Sequence, residues 1–143
     1  MTERVFLDSN VVLYAFDTHP NEARKHARAQ EIFDDPTLQR CVSAQVIGEF
    51  YVNAIRKLRP PLSVAAAGDA VAMLMRLDPV PTDAALISRA IQTSTRWQIS
   101  YWDALIVEAA RVAHCPRVLT EDLSHGMSID GVLIENPFLD PAA

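Results

Sequence analysis

The stretch Val5-Phe6-Leu7-Asp8-Ser9-Asn10-Val11-Val12-Leu13-Tyr14 decides the fold. Its first three residues are all apolar, which is typical of a parallel strand that is covered on both faces of its sheet. The apolar run stops at an acid, and the small polar residues Ser9 and Asn10 favour the start of a helix. A short buried strand that leads directly into a helix predicts an α/β protein.

The same alternation of short apolar runs and helical patterns continues along the chain. Strands are expected over residues 5–7, 41–42, 118–119 and 132–134, with a minimal strand inside residues 78–81. Helices are expected over residues 11–16, 23–33, 44–58, 63–77, 82–94 and 100–114, the last two capped by Thr82 and Ser100. This order predicts an α/β sandwich with a mostly parallel sheet. Since no repeat or linker interrupts it, one domain is expected over residues 1–143.

The bulk composition is that of a soluble globular protein. Half of the 143 residues are apolar and 22% are charged, which suffices for a core and is too little charge for a disordered chain. No apolar run approaches the roughly 20 residues that span a bilayer, and the first apolar run is too short for a signal peptide. We therefore expect a cytoplasmic protein without a membrane segment.

Cysteine content and net charge restrict the chemistry. The two cysteines, Cys41 and Cys115, lack the spacing of a zinc site and are expected as buried thiols. The net charge of −5 opposes phosphate binding, so a nucleic-acid enzyme would need local basic patches or bound metal ions. Two basic clusters are candidates for RNA contacts: Arg24, Lys25 and Arg28, and Arg56, Lys57 and Arg59. Each also has an ordinary explanation, as a solvated helix face or as cations at a helix C-terminus.

Three acids follow the ends of strands or the starts of helices. Asp8 directly follows the first strand, Asp122 closely follows the strand over residues 118–119, and Asp103 stands in the first turn of its helix. In parallel sheets, ligands bind beyond the carboxyl ends of the strands, where loops and helix N-termini gather. These three side chains are therefore expected at one edge of the sheet.

Helical periodicity places the remaining candidates. In the helix over residues 44–58, Gln45, Glu49 and Asn53 form a stripe along the border of the apolar face, so Glu49 is expected between core and solvent. In the helix over residues 100–114, the same argument places Asp103 on the buried side. Two charged residues of that helix, Glu108 and Arg111, are expected to point away from the core.

Four carboxylates in one place predict a site for a hard divalent cation. The set is Asp8, Glu49, Asp103 and Asp122. Mg²⁺ and Mn²⁺ prefer carboxylate and water oxygens, and a cluster of acids that repel one another is stable only with a cation. Such ions lower the pKa of a bound water and stabilise charge on a phosphodiester, so the pattern favours phosphodiester hydrolysis.

Each acid also has a purely structural explanation. Ser100 and Asp103 have the spacing of a capping box, and Asp8 can cap the helix that follows it. Asp122 can be a turn residue, and Glu49 can be a solvated helix residue. Only the joint placement of the four acids favours a catalytic role.

At these positions the sequence resembles the PIN-domain family and, within it, the VapC-type toxins of type II toxin–antitoxin systems. The first matching segment is the opening stretch through Tyr14. The others are Val46-Ile47-Gly48-Glu49-Phe50, Tyr101-Trp102-Asp103-Ala104-Leu105-Ile106 and Leu119-Thr120-Glu121-Asp122-Leu123. The segments occur in order and at family-like spacing over essentially the whole chain.

The resemblance implies a three-layer sandwich with about five strands and a Mg²⁺- or Mn²⁺-dependent endoribonuclease. It assigns the acidic metal site to Asp8, Glu49, Asp103 and Asp122, with Asn10 and Thr120 as hydrogen-bonding neighbours. It further implies an RNA substrate, products with 5′-phosphate and 3′-hydroxyl ends, a homodimer and inhibition by a small antitoxin protein. Glu121 is a second acid beside Asp122; the family pattern prefers Asp122, and sequence geometry does not decide between them.

Other classes remain open at this stage. A phosphoaspartyl phosphatase or a receiver domain would need a lysine late in the chain, yet the only lysines are Lys25 and Lys57. The phosphatase would also need a second aspartate where Asn10 stands, and no P-loop motif occurs. A non-catalytic PIN-like module that binds RNA or protein, and a housekeeping RNA-processing nuclease without an antitoxin, both fit the same residues.

Overall fold

The computed structural model describes residues 2–140 as alternating strands and helices. The strands are β1 (Glu3–Leu7), β2 (Leu38–Cys41), β3 (Arg117–Leu119), β4 (Ser128–Ile129) and β5 (Val132–Glu135). The helices are α1 (Ser9–Phe16), α2 (Ala23–Asp34), α3 (Ala44–Arg56), α4 (Val64–Met75), α5 (Ala84–Trp97) and α6 (Tyr101–Val112), with a 3₁₀ turn before α2. The single domain expected over residues 1–143 includes residue 1 and residues 141–143, which lie outside this description.

The strands form one five-stranded sheet in the order β2-β1-β3-β5-β4. Every neighbouring pair is parallel except β4 and β5 at the edge. The expectation of a mostly parallel α/β sheet is therefore confirmed. In the register of β1 with β3, Leu7 pairs with Leu119, so both strands end at the same level. This alignment brings Asp8 beside Thr120.

The centre of the sheet is buried on both faces. Val5, Phe6 and Leu7 have no exposed surface, as the unbroken apolar run predicts for a covered parallel strand. The helix α6 is buried through residues 104–110 and contacts β3 and β5, while α1 packs against α2 and α3. Cys41 and Cys115 are buried free thiols, as expected.

Three local expectations are wrong. Residues 78–81 form no strand; Val80 makes only an isolated parallel bridge to Ser43, because its neighbours Pro79 and Pro81 have no N–H group to extend a ladder. The cap of α5 is Asp83 and not Thr82, since the Asp83 carboxylate accepts a hydrogen bond of 2.9 Å from the Leu86 N–H. The strand β4 was not expected.

The hairpin of β4 and β5 turns at a pair of residues that the sequence offers as a hairpin signal. Asp130 and Gly131 have φ angles of 49° and 85°, which suit an aspartate-glycine turn. The strand β4 is two residues long and half exposed, so it has too little apolar pattern to be recognised on its own.

The orientation expected for α6 is partly wrong. Glu108 was expected to point away from the core, but only 2% of its surface is exposed. Both of its carboxylate oxygens accept hydrogen bonds from Nη1 of Arg111, at 2.9 and 3.0 Å, and this pairing allows the charge to be buried. Arg111 is exposed as expected, and Asp103 is partly buried.

No helix within residues 2–140 has the length and apolar character needed to cross a bilayer.

Candidate active site

Asp8 occupies the point where β1 passes into α1. It is the N-cap of α1, and its Oδ1 accepts a hydrogen bond of 2.7 Å from the Ser9 N–H. Its Oδ2 accepts a hydrogen bond of 2.8 Å from the Thr120 hydroxyl, and only 6% of the residue is exposed. Asp8 therefore caps α1 and also lies at the carboxyl edge of the sheet.

The Thr120 hydroxyl links Asp8 to Asp122. While it donates to Asp8, its oxygen accepts from the Asp122 N–H at 3.1 Å and from Nδ2 of Asn10 at 3.3 Å. The same Nδ2 donates to Oδ2 of Asp122 at 3.1 Å. The structure thus brings Asp8, Asn10, Thr120 and Asp122 into one hydrogen-bonded group, across more than 100 residues of sequence.

Glu49 reaches this group from α3. Its Oε2 accepts a hydrogen bond of 2.9 Å from the Ser9 hydroxyl, and its Oε1 accepts one of 2.7 Å from Nε2 of Gln45. Glu49 is partly buried, as its position on the border of the apolar face predicts. Sequence reasoning missed the linking role of Ser9, although its position directly after Asp8 was visible.

Asp103 lies at the N-terminus of the neighbouring helix α6. Its N–H donates to the Ser100 hydroxyl at 3.0 Å, which is the helix-capping bond expected from the spacing of these residues. Nε2 of Gln45 also lies 3.4 Å from the Trp102 carbonyl oxygen, so the start of α6 adjoins the Glu49 side of the site. Within residues 2–140, no hydrogen bond or ion pair joins the Asp103 carboxylate to the other three acids.

The electrostatics of the site are those of a concentrated negative charge. Burial raises the pKa of Asp8 from 3.8 to about 6, although its hydrogen bonds with Thr120 and Ser9 lower it. The charges of Asp122 and Glu49 raise it further. The carboxylates of Asp122 and Glu49 are therefore close enough to affect the ionisation of Asp8. The concentrated negative charge of this cluster favours the binding of a cation.

The donor atoms fit a hard divalent cation. Among residues 2–140, Oδ1 of Asn10 and Oε1 of Gln45 are buried oxygens without a hydrogen-bond partner, and such orphaned acceptors are costly. Both belong to side chains that hydrogen-bond the acids of the site, and a hydrated ion would supply the missing donors. No group of three or more acid, histidine or cysteine side chains in the described chain is already at ligand distances. The donors are oxygens throughout, which suits Mg²⁺ or Mn²⁺.

The sequence pattern of the PIN domain matches residues 5–125. This chain belongs to the PIN domain family. The matched residues include the four candidate acids together with Asn10 and Thr120. PIN domains are generally nucleases. No curated protein matches the chain.

Solved structures with the same fold include toxin–antitoxin complexes. VapBC2 from Rickettsia felis, bound to a DNA fragment from its promoter, matches with a TM-score of 0.62 and 16% identity over 93% of this chain and 98% of the other. A toxin–antitoxin complex from Klebsiella pneumoniae gives 0.63 and 15%, over 93% and 97%. FitAB bound to an IR36 DNA fragment gives 0.64 and 18%, over 94% and 96%. At such identities the likeness concerns the fold.

In this PIN domain the two adjacent acids, Glu121 and Asp122, have different hydrogen-bond partners. Glu121 accepts a hydrogen bond of 2.8 Å from the Tyr14 hydroxyl and pairs with Nζ of Lys25 at 2.8 Å. The hydrogen bond to Glu121 is the largest cause of a raised pKa at Lys25. Glu121 is therefore held by its own cation, while Asp122 belongs to the group around Thr120. The geometry favours Asp122 as the fourth acid.

A cavity of about 480 Å³ opens beside the acids of this PIN domain. Glu49 and Asp122 line one part of it, and the residues near the end of α3 line another. A larger cavity of about 760 Å³ is lined by Arg4, Cys41 and Val80, and it contains none of the four candidate acids. The smaller cavity is therefore the one that can receive a substrate at the carboxylates.

Proposed function

We propose that this PIN domain is a Mg²⁺- or Mn²⁺-dependent endoribonuclease. The observation that carries the proposal is the approach of Glu49 and Asp122 to the buried Asp8, with an orphaned oxygen of Asn10 at the same place. This arrangement has an excess of negative charge and unsatisfied oxygen acceptors, which a divalent cation would relieve.

Asp8, Glu49, Asp103 and Asp122 would hold the metal. When bound, Mg²⁺ or Mn²⁺ supplies positive charge to the phosphate and the leaving oxygen and lowers the pKa of a bound water. Asn10 and Thr120 keep the carboxylates of Asp8 and Asp122 in fixed orientations through their hydrogen bonds. Such fixed orientation is what a catalytic site requires.

The proposed reaction is hydrolysis of an RNA phosphodiester bond by in-line attack of water on phosphorus. The bond from phosphorus to the 3′ oxygen breaks, and that oxygen takes up a proton. The products carry 5′-phosphate and 3′-hydroxyl ends. The RNA 2′-hydroxyl takes no part, and no serine, cysteine or histidine nucleophile is needed.

Mapping of the cleaved ends tests this proposal. Purified protein is incubated with total RNA in Mg²⁺, in Mn²⁺ and in EDTA, and the new ends are sequenced. We expect cleavage only with a metal, and loss of cleavage in Asp8→Asn and Asp103→Asn. Asp83→Asn is the matched control, because Asp83 also caps a helix but lies outside the site. Ends with 2′,3′-cyclic phosphates would rule out the proposed attack by water.

We further propose that the chain is a cytoplasmic VapC-type toxin that acts as a homodimer with a small antitoxin partner. The support is the fold shared with the toxin–antitoxin complexes, over at least 93% of this chain. Expression of the chain alone should arrest growth, and co-expression of a short neighbouring reading frame should restore it. If the protein cleaves RNA but is not toxic and has no partner, an RNA-processing nuclease would be favoured instead. If it binds the metal but does not cleave RNA, a non-catalytic module would be favoured.

A further inference from the structure

One face of α3 carries a line of polar side chains from the acids to a basic end. Glu49, Asn53 and Lys57 follow one another at intervals of four residues, which places them on one side of the helix. At 1.5 Å per residue, Lys57 stands about 12 Å along the axis from Glu49. Lys57 is the C-cap of α3, and its N–H donates to the Asn53 carbonyl at 2.8 Å.

These residues share a wall of the cavity with the carboxylates. Asn53, Lys57 and Arg59 line the same space of about 480 Å³ as Glu49 and Asp122. That volume is typical of a small-molecule pocket. It therefore has room for a nucleotide or two of a single strand.

The two cations of this wall are available to a ligand. Lys57 and Arg59 are both exposed, and within the part of the chain that the structure describes neither forms an ion pair. The other lysine, Lys25, is held by Glu121, and Arg117 is held by two glutamates. Position at a helix C-terminus explains why a cation is tolerated at residue 57, but not why Arg59 faces the same cavity.

An acidic protein that cuts RNA needs such a feature. The net charge is −5, and the carboxylates by themselves repel the phosphates on both sides of a scissile bond. A metal ion bound to the carboxylates can offset this repulsion at the cleaved phosphate only. The neighbouring phosphate needs a positive group within reach of the same cavity.

We propose that Lys57 and Arg59 bind the phosphate next to the scissile one, so that a single strand of RNA lies along α3 from Glu49 to its basic end. The inference rests on the proposed ribonuclease function and names its substrate class. Lys57 and Arg59 are here positioning residues, which bind the substrate backbone without acting on the reacting atoms. Because they contact phosphate and not bases, they contribute affinity without sequence preference.

The test measures the binding of a fluorescein-labelled 12-nucleotide single-stranded RNA by anisotropy at several KCl concentrations. An Asp103→Asn background in Mg²⁺ prevents cleavage during the measurement. Lys57→Gln/Arg59→Gln is compared with Arg76→Gln/Arg89→Gln, which also removes two positive charges, at the C-cap of α4 and within α5, outside the cavity. Both variants thus change the net charge equally.

We expect the first variant to reduce the slope of log K against log [KCl] by about 0.7, since it removes one phosphate contact and each such contact on a single strand contributes about 0.7. The same relation gives about fivefold weaker binding at 0.1 M KCl. The control variant should stay close to the parent, and Lys57→Arg/Arg59→Lys should restore binding. In the active protein, KM for a single-stranded substrate should rise while kcat changes less than about twofold.

Three results would overturn the inference. The first is an equal loss of affinity in the two double variants, which would mean a diffuse effect of net charge and no local contact. An unchanged slope in Lys57→Gln/Arg59→Gln would remove the contact, even if the parent still cuts RNA. Tighter binding of duplex RNA than of single strands would exclude the proposed path. If the parent neither binds nor cuts RNA, the ribonuclease proposal itself fails. The midpoint of thermal unfolding is measured for every variant to verify that it is folded.

Discussion

The replacement Asp8→Asn should stabilise the metal-free protein. The pKa of this carboxyl stands at about 6 in the fold against an ordinary value of 3.8, chiefly because Asp8 is buried. At 1.36 kcal/mol per pKa unit, ionisation of the buried Asp8 lowers the free energy of unfolding at neutral pH by about 3 kcal/mol, relative to a carboxyl with the ordinary pKa. Asparagine removes that charge. Its Oδ1 can still accept from the Ser9 N–H, but its amide nitrogen cannot accept from the Thr120 hydroxyl, and the loss of that hydrogen bond offsets about 1 kcal/mol of the gain.

The sign of the pH dependence follows from the raised pKa. The native state binds this proton more tightly than the unfolded chain, so the contribution is fully present below pH 3.8 and is lost as pH rises through about 6. The advantage of Asp8→Asn over the parent should therefore be absent at pH 4 and complete by about pH 7.5. For a chain of this length, about 2 kcal/mol net corresponds to roughly 5 °C in Tm.

The assay is thermal unfolding followed by circular dichroism in EDTA, across this pH range. Asp83→Asn serves as the control, because it changes an exposed helix cap with the same chemistry. Saturating Mn²⁺ should reverse the order, since at 100 times its Kd a ligand stabilises the parent by about 2.7 kcal/mol. A metal-free Asp8→Asn that melts below the parent at pH 7.5 would refute the reasoning about a strained carboxylate.

Three further predictions concern single positions. Thr120→Val removes the hydroxyl between Asp8 and Asp122, so it should lower kcat at least tenfold and weaken the binding of Mn²⁺. Calorimetry measures the binding, and an unchanged affinity for Mn²⁺ would contradict the bridging role of Thr120. Arg111→Ala leaves the buried Glu108 carboxylate without its donor and should cost about 2 kcal/mol in urea denaturation, with activity retained. Gly131→Ala, at a φ of 85°, should cost about 1 kcal/mol in the same assay, and a neutral effect would show that the turn adapts.

Local pattern predicted much of the fold. The apolar run before Asp8 and the helix cap at Ser100 depend on residues close together in sequence, and both are found in the structure. The carboxyl-edge argument likewise placed Asp8 near Asp122. It succeeded because parallel strands in register end at the same level.

Contacts between distant residues could not be obtained in this way. Helical periodicity gives the phase of α6 relative to its own apolar residues, but burial of Glu108 depends on the elements that pack against α6 from other parts of the chain. Likewise, a minimal strand was expected inside residues 78–81. The two prolines limit it to one bridge at Val80.

The sequence alone provided the candidate acids and placed Asp8 and Asp122 at one edge of the sheet, because strand ends and helix starts are encoded locally. Only the tertiary structure decided that Asp122, and not Glu121, joins the group around Thr120, since Lys25 and Tyr14 reach Glu121 from another part of the chain. The tertiary structure also decided that the Ser9 hydroxyl connects to Glu49. A hydrogen bond forms between atoms within about 3 Å, and over 40 to 110 residues that distance is determined by packing and register.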